Sequence, residues 1–214
     1  YCVAEANVKV LEAGYDYGHN THSSIDHTYR IETATQKEKG KYMDISGNKA
    51  TAYGLIAAAE KTGKTLYLGS YPITPATDIL HELAKHKSLG VVTVQCEDEI
   101  AGCASAVGAS FGGALAVTST SGPGVCLKSE AMNLAVMTEL PLVIINVQRG
   151  GPSTGLPTKS EQSDLLQALF GRNGESPMPV IAASSPTDCF YKAYEAAKIA
   201  LEHATPVILL TDAF

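Results

Sequence analysis

No CxxC pair occurs among the five cysteines, Cys2, Cys96, Cys103, Cys126 and Cys189. That excludes the usual zinc and iron–sulfur ligand spacings within this chain. Their odd number and wide separation disfavour a disulfide scaffold and fit reduced thiols in the cytoplasm. Charge is scarce as well: Asp, Glu, Lys and Arg make 18% of the 214 residues, against about 25% in an average soluble domain. The net charge of −6 leaves no basic footprint for nucleic acid or an anionic membrane. Long apolar runs are missing. The longest, Leu140–Val147 and Pro206–Leu210, fall far short of the roughly 18 residues that a spanning helix needs. No basic-then-apolar leader opens the chain. Scarce charge together with 45% apolar residues argues against disorder, and a chain this long can bury the core of one large domain.

Residues 1–45 are polar, weakly periodic and carry His19, His22 and His27. They read as a linker or irregular leading segment. The histidine spacing fits no common ligand pattern, and no metal site is expected there. The chain opens at Tyr1 without a methionine and ends in or just after a strand pattern. It is expected to be a piece of a longer polypeptide.

From Asn48 onward helix and strand patterns alternate. Asn48 is placed to cap a helix through about Lys61, with Gly63 to stop it. Strands are expected at 65–69, 91–95, 114–118, 142–147, 180–183 and 206–211. Helices are expected near 76–87, 98–112, from the Gly122–Gly124 turn to about 140, 161–170 and 187–203. This order predicts an α/β fold: a doubly wound, mostly parallel sheet with helices on both faces. Ligands in such sheets bind at the carboxyl ends of strands near a switch point. Four segments leave strands there: Ser70–Pro75, Glu97–Glu99, Ser119–Gly124 and Gln148–Thr158.

Two phosphate motifs fail. KTGKT (Lys61–Thr65) lacks the first P-loop glycine, since Ala58 stands in its place, and it leads from helix into strand rather than the reverse. Gly122–Gly124 follows a strand and opens a helix, but Leu127 replaces the third glycine of a dinucleotide fingerprint, and no acid follows near 144.

Glu97-Asp98-Glu99 stands at a helix start, where acids are favoured by the dipole alone. The helix behind it is unusually slim, with Ala101, Gly102, Ala104, Ser105, Gly108, Ala109 and Gly112. Glycine inside a helix costs about 1 kcal/mol relative to alanine. Such a pattern suits a close approach by another backbone or a flat ring.

Glu99, Gly108 nine residues on, and a strand ending in TSGPG (Thr120–Gly124) resemble the pyrimidine-binding module of thiamine-diphosphate enzymes. YPITP (Tyr71–Pro75), EDEIA (Glu97–Ala101) and QRGGPSTGLPTKSEQSDL (Gln148–Leu165) narrow the likeness. They resemble the alpha subunit of 2-oxoacid:ferredoxin oxidoreductases, the 2-oxoglutarate group in particular, over about Ile45–Phe214. The resemblance implies a leading part at 1–45, a cofactor module at 46–214, and often a gamma-like domain ahead of it. It implies that Glu99 hydrogen-bonds a ring nitrogen of the aminopyrimidine and favours the tautomer that forms the ylide. It also implies cofactor contacts at Tyr71, Pro72, Ile73, Thr74, Ser121, Gly122, Pro123 and Gly124. Thr74 is implied to position the reacting carbonyl, and Arg149 to bind the 2-oxoacid carboxylate through its fork, beside Gly150. Plainer readings stand beside these: a helix cap for Thr74, a solvated loop arginine for Arg149, and an ordinary surface connection for Gly150–Lys159.

The family's GDG…N motif for diphosphate and Mg²⁺ is missing here, as are cluster cysteines. The resemblance therefore implies half an active site. A beta subunit supplies Mg²⁺ and an iron–sulfur cluster, and the whole converts a 2-oxoacid and CoA to acyl-CoA, CO₂ and reduced ferredoxin. Alternatives are an indolepyruvate or pyruvate alpha chain, or a non-catalytic assembly subunit. Lys128 and Lys159 are candidate contacts to a second substrate carboxylate.

Overall fold

Where the sequence suggests an irregular leading segment, residues Cys2–Asn20 form a 19-residue helix, α1, with Glu5 in its first turn and His19 in its last. The rings of Tyr15 and His19 stack one turn apart, their centroids separated by 6.1 Å. The computed structural model describes residues 2–21, 29–30 and 39–213. His22 and His27 lie outside the described residues. The chain divides into two units, 1–42 and 43–214.

The second unit begins with α2 (Gly47–Thr62), capped by Ser46, whose extended backbone lets its hydroxyl accept from the Lys49 N–H at 3.4 Å. Asn48 is therefore not the cap. It sits in the first turn, and its Nδ2 donates to the Pro75 carbonyl at 2.9 Å. Gly63 ends the helix in the left-handed region at φ 65°, as its lack of a Cβ allows.

The remaining order is β1 (Leu66–Ser70), α3 (Thr77–Ala84), a 3-10 turn (Lys87–Leu89), β2 (Val91–Gln95), α4 (Glu99–Phe111), β3 (Leu115–Thr120), α5 (Pro123–Leu127), α6 (Ser129–Met137), β4 (Leu142–Gln148), α7 (Leu165–Phe170), β5 (Val180–Ala182), α8 (Pro186–His203) and β6 (Pro206–Asp212). Two expected helices differ. The one after TSGPG breaks at Lys128 into α5 and α6. The one expected from 161 starts only at Leu165, because Gln148 Oε1 accepts the Asp164 N–H at 3.0 Å and holds that backbone against β4.

All six strands are parallel, in the order β2-β1-β3-β4-β6-β5. Alternation along each strand serves two cores. On one face Val143, Ile145 and Val147 of β4 pack with α2, α3 and α8; on the other Leu142 and Ile144 pack with α4, α6 and α7. Every residue of β4 is buried, as a central strand covered on both faces must be. The chain leaves β1 for β2 on one side and returns to β3 on the other, so β1 and β3 flank a topological switch point. Their ladder stops at Leu68↔Val117. Beyond it, Ser70 Oγ donates to the Ser119 carbonyl at 2.9 Å and lies 3.0 Å from its hydroxyl.

The slim helix has its explanation at this edge. A Cβ on Gly102 would lie 3.2 Å from Ser70 Cα, and one on Gly69 would overlap the Gly102 carbonyl. α4 crosses β1 backbone to backbone there. Gly108 faces open space instead, so its small size is not needed for packing within this chain.

Candidate functional site

The three acids at the start of α4 have three different fates. Glu97 is exposed. Asp98 is the N-cap, its Oδ1 accepting the Ala101 N–H at 2.7 Å. Capping by Asp98 spares Glu99, the first helical residue, which is only 7% exposed. The Glu99 carboxylate has no hydrogen bond or ion pair among the described residues. Its Cγ lies 3.0 Å from where a Cβ on Gly124 would stand. The TSGPG turn thus closes directly on the stem of the acid, and only glycine fits between them and Thr120.

Around this acid the carboxyl end of β3 is a run of buried hydroxyls. Ser119, Thr120 and Ser121 are all buried, and Ser121 Oγ has no partner. Asp164 closes the other side of the turn, its Oδ2 3.6 Å from a Cβ on Gly122. Asp164 is held by β4: Asn146 Nδ2 donates to its Oδ2 at 2.9 Å, and Gln148 takes its N–H. Sequence reasoning passed over Asp164. The signal was Asn146 and Gln148, two polar side chains at strand spacing on one face of an otherwise apolar strand.

A second constellation joins the loops after β1 and β4. Arg149 is 6% exposed, and it is not a solvated loop arginine. Its Nη1 donates to the Thr74 carbonyl at 2.6 Å and its Nη2 to the Thr154 carbonyl at 2.7 Å, while Nε is buried without a partner. Two of five N–H donors are used in this way. The Gly150–Lys159 loop folds on itself: the Gly150 N–H donates to the Lys159 carbonyl and the Leu156 N–H to the Gly150 carbonyl, each at 2.8 Å. Thr74 is exposed, and its hydroxyl does not cap α3, which starts at Thr77 with no side-chain cap. Tyr71 is exposed, Pro72 is half-buried, and Ile73 packs on the core beneath.

Of the two lysines singled out, Lys159 is exposed on this loop. Lys128 is fully buried, its Nζ 2.5 Å from Thr118 Oγ1. That rules it out as a contact to a substrate's second carboxylate. A cavity of about 640 Å³ opens at the ends of β5 and β6, lined by Glu161, Gln162, Ser184, Cys189 and Asp212. None of Glu99, Thr74 or Arg149 lines it.

Chemically, the switch-point edge offers a mostly buried acid whose carboxylate has no partner among the described residues, and a buried hydroxyl without one, beside a glycine turn. An unmet buried hydroxyl calls for a ligand or a second surface. A carboxylate in such a place is suited to a ring nitrogen of a flat heterocycle, where its hydrogen bond is strong.

Residues 58–214 match the family described as pyruvate flavodoxin/ferredoxin oxidoreductase, thiamine diP-bdg. The 2-oxoglutarate oxidoreductase subunit KorA of Mycobacterium tuberculosis is 62% identical over 210 residues, covering 98% of this chain and 32% of that one. The 2-oxoglutarate synthase subunit KorA of Archaeoglobus fulgidus is 47% identical over 169 residues, covering 78% and 47%. Among solved structures, a 2-oxoglutarate:ferredoxin oxidoreductase from Magnetococcus marinus with 2-oxoglutarate, coenzyme A and succinyl-CoA bound superposes with a TM-score of 0.80. It is 39% identical, over 95% of this chain and 35% of that one. A split gene transketolase, at 16% identity and a TM-score of 0.55, shares the fold. The chain spans about a third to a half of the length of the curated relatives. With its parallel sheet, its acid at the switch point and a family match over most of its length, the chain belongs to the thiamine-diphosphate-binding domains of the pyruvate flavodoxin/ferredoxin oxidoreductase family.

Proposed function

We propose that this chain is the pyrimidine-binding module of the alpha subunit of a 2-oxoglutarate:ferredoxin oxidoreductase. The observation that carries the reading is Glu99: a buried carboxylate without a hydrogen-bond partner, packed on Gly124 at the switch point. The complete enzyme converts 2-oxoglutarate and CoA to succinyl-CoA and CO₂. The electron pair released passes singly to ferredoxin. The names borne by relatives at 62% and 47% identity support this substrate.

Thiamine diphosphate, when bound, supplies the electron sink for decarboxylation. The residues of this chain fit its pyrimidine end. Glu99 would accept a hydrogen bond from a ring nitrogen and so fix a proton there. The unpartnered Ser121 hydroxyl and the backbone of Gly122, Pro123 and Gly124 would hold the ring, and the Tyr71–Thr74 segment would face the substrate. Arg149 fixes the Thr74 and Thr154 carbonyls and retains N–H donors for the 2-oxoacid carboxylate. Thr74, held by its own carbonyl, presents a free hydroxyl to the reacting carbonyl. Lys159 is the remaining candidate for the second carboxylate.

In this reading Mg²⁺, the diphosphate contacts and the iron–sulfur cluster are assigned to a beta subunit, as the resemblance implies; the GDG…N motif and CxxC pairs do not occur in these 214 residues. Among the described residues no helix is long and apolar enough to cross a membrane. Cys96, Cys103, Cys126 and Cys189 are free thiols, which supports a cytoplasmic enzyme.

The test uses the full-length alpha subunit co-expressed with its beta partner, following CoA-dependent viologen reduction with 2-oxoglutarate, pyruvate and branched 2-oxoacids. 2-Oxoglutarate is expected to be preferred, and Glu99→Gln to leave the complex assembled but inactive. Near-normal turnover by that variant would sink the assignment. Preference for another 2-oxoacid would retain the chemistry and replace the substrate.

A further inference from the structure

Thr74 is exposed, yet the backbone that carries it is pinned on both sides. Ile73 packs on the core before it, and Ala76, 1% exposed, sits in the core after it. The carbonyls between these anchors are held by side chains from separate elements. Arg149 Nη1 donates to the Thr74 carbonyl at 2.6 Å, and Asn48 Nδ2, from the first turn of α2, donates to the Pro75 carbonyl at 2.9 Å. The Ile73 carbonyl accepts the Thr77 N–H at 3.0 Å. Three successive carbonyls around Thr74 are thus occupied.

Asparagine is an unfavourable choice for position 48 on local grounds. Ser46 already caps α2, so Asn48 has no capping duty, and asparagine is a poor residue for a helix interior. The residue is 8% exposed, and its Oδ1 is buried with no partner among the described residues. A buried acceptor left unmet is destabilising. Alanine would avoid both losses. What alanine lacks is the donor. A carbonyl takes a hydrogen bond only from a donor, so the Pro75 contact fixes which way round the amide sits. That contact reaches across 27 positions of sequence to the residue next to Thr74.

We infer, on the reading of Thr74 as the residue that faces the reacting carbonyl, that Asn48 is a positioning residue for Thr74. Held at the Thr74 carbonyl alone, the chain can still turn about the bonds that follow. Held at the Pro75 carbonyl as well, it cannot, and the direction in which the Thr74 side chain leaves the backbone is set. A group at a reacting centre needs such support from residues behind it. Asn48 acts through Thr74 and is given no contact of its own with cofactor or substrate.

The test uses the assembled alpha–beta enzyme loaded with thiamine diphosphate and follows CoA-dependent viologen reduction with 2-oxoglutarate, per bound cofactor. Asn48→Asp keeps the shape of the side chain and replaces the donor by an acceptor. It is expected to lower kcat about tenfold, as a small misplacement at the reacting centre does. KM for 2-oxoglutarate and the affinity for thiamine diphosphate are expected to stay within about twofold of the parent. Thr74→Val removes the hydroxyl and keeps the shape. In that background Asn48→Asp is expected to lower kcat by less than about twofold, because no hydroxyl remains to be positioned. The same loss in both backgrounds, or a loss that falls equally on cofactor affinity, would make Asn48 a packing residue and overturn the inference. Parent kcat in an assembled Asn48→Asp enzyme would overturn it too. Should Asn48→Asp fail to assemble, Asn48→Ala decides by the same cycle. If Thr74→Val alone turns over like the parent, the reading of Thr74 fails, and the role of Asn48 with it. If Thr74→Val is slow while the Asn48 variant is not, only the role of Asn48 fails.

Discussion

Arg149 Nη1 donates to the Thr74 carbonyl at 2.6 Å, across 75 positions of sequence. The same guanidinium holds the Thr154 carbonyl at 2.7 Å, so one side chain sets the spacing between the loop after β1 and the loop after β4. The arginine therefore ties the two loops together, in addition to the carboxylate contact proposed for it.

Replacing it by lysine tests that double role. Lysine offers one compact charge and cannot span both carbonyls. Arg149→Lys is expected to lower kcat/KM for the 2-oxoacid by about 10- to 100-fold, the equivalent of one lost charge-assisted hydrogen bond. The 150–159 loop is expected to become more sensitive to protease. Unchanged kinetics together with an unchanged digestion pattern would show that the clamp is dispensable.

Gly124 should tolerate no side chain. An alanine Cβ would overlap Thr120 Oγ1 and come within 3.0 Å of Glu99 Cγ. Both neighbours are buried, so the strain has no easy outlet. Gly124→Ala is expected to destabilise the assembled enzyme by about 1–3 kcal/mol, as overpacking does. It is also expected to weaken thiamine-diphosphate binding by displacing the acid. Thermal denaturation and cofactor titration read the two effects separately, and wild-type affinity in a folded variant would refute the contact.

The acids before Glu99 differ in a way that mutation can resolve. Asp98→Ala removes the cap bond to the Ala101 N–H and should cost about 1 kcal/mol. Because the cap orients the first turn, activity should fall as well. Glu97 is exposed, so Glu97→Ala should stay within about 0.5 kcal/mol of the parent. Equal losses for the two in parallel melting curves would contradict the capping geometry.

Much of this protein follows from patterns within a few residues. Continuous apolar runs mark the central strands, because a parallel strand covered on both faces has no polar side to display. The α/β order follows from helix and strand periods that alternate, and the motifs at strand ends mark the switch-point edge, the usual place for a ligand in such sheets. Cap choice was nearly legible. Ser46 displaces Asn48 because the chain is already extended at 46 and helical at 47, and Asn48 is then drawn to the Pro75 carbonyl. The helix Cys2–Asn20 was missed although its apolar periodicity is no weaker than that of helices read correctly, such as Gly47–Thr62; the signal on which sequence reading depends was present there.

What remained belongs to packing. Lys128, in the sequence a candidate contact to a second substrate carboxylate, is wholly enclosed in the fold, because the break between α5 and α6 turns it onto Thr118. Asp164 appears as one polar residue among many until Asn146 and Gln148 reach it from β4. The position of β6 between β4 and β5 has no local signature at all. Local sequence reports which neighbours three or four positions away share a face. Partners separated by 10 to 75 positions are chosen only when the two cores close and each buried polar group takes whatever partner the packed backbone leaves within reach.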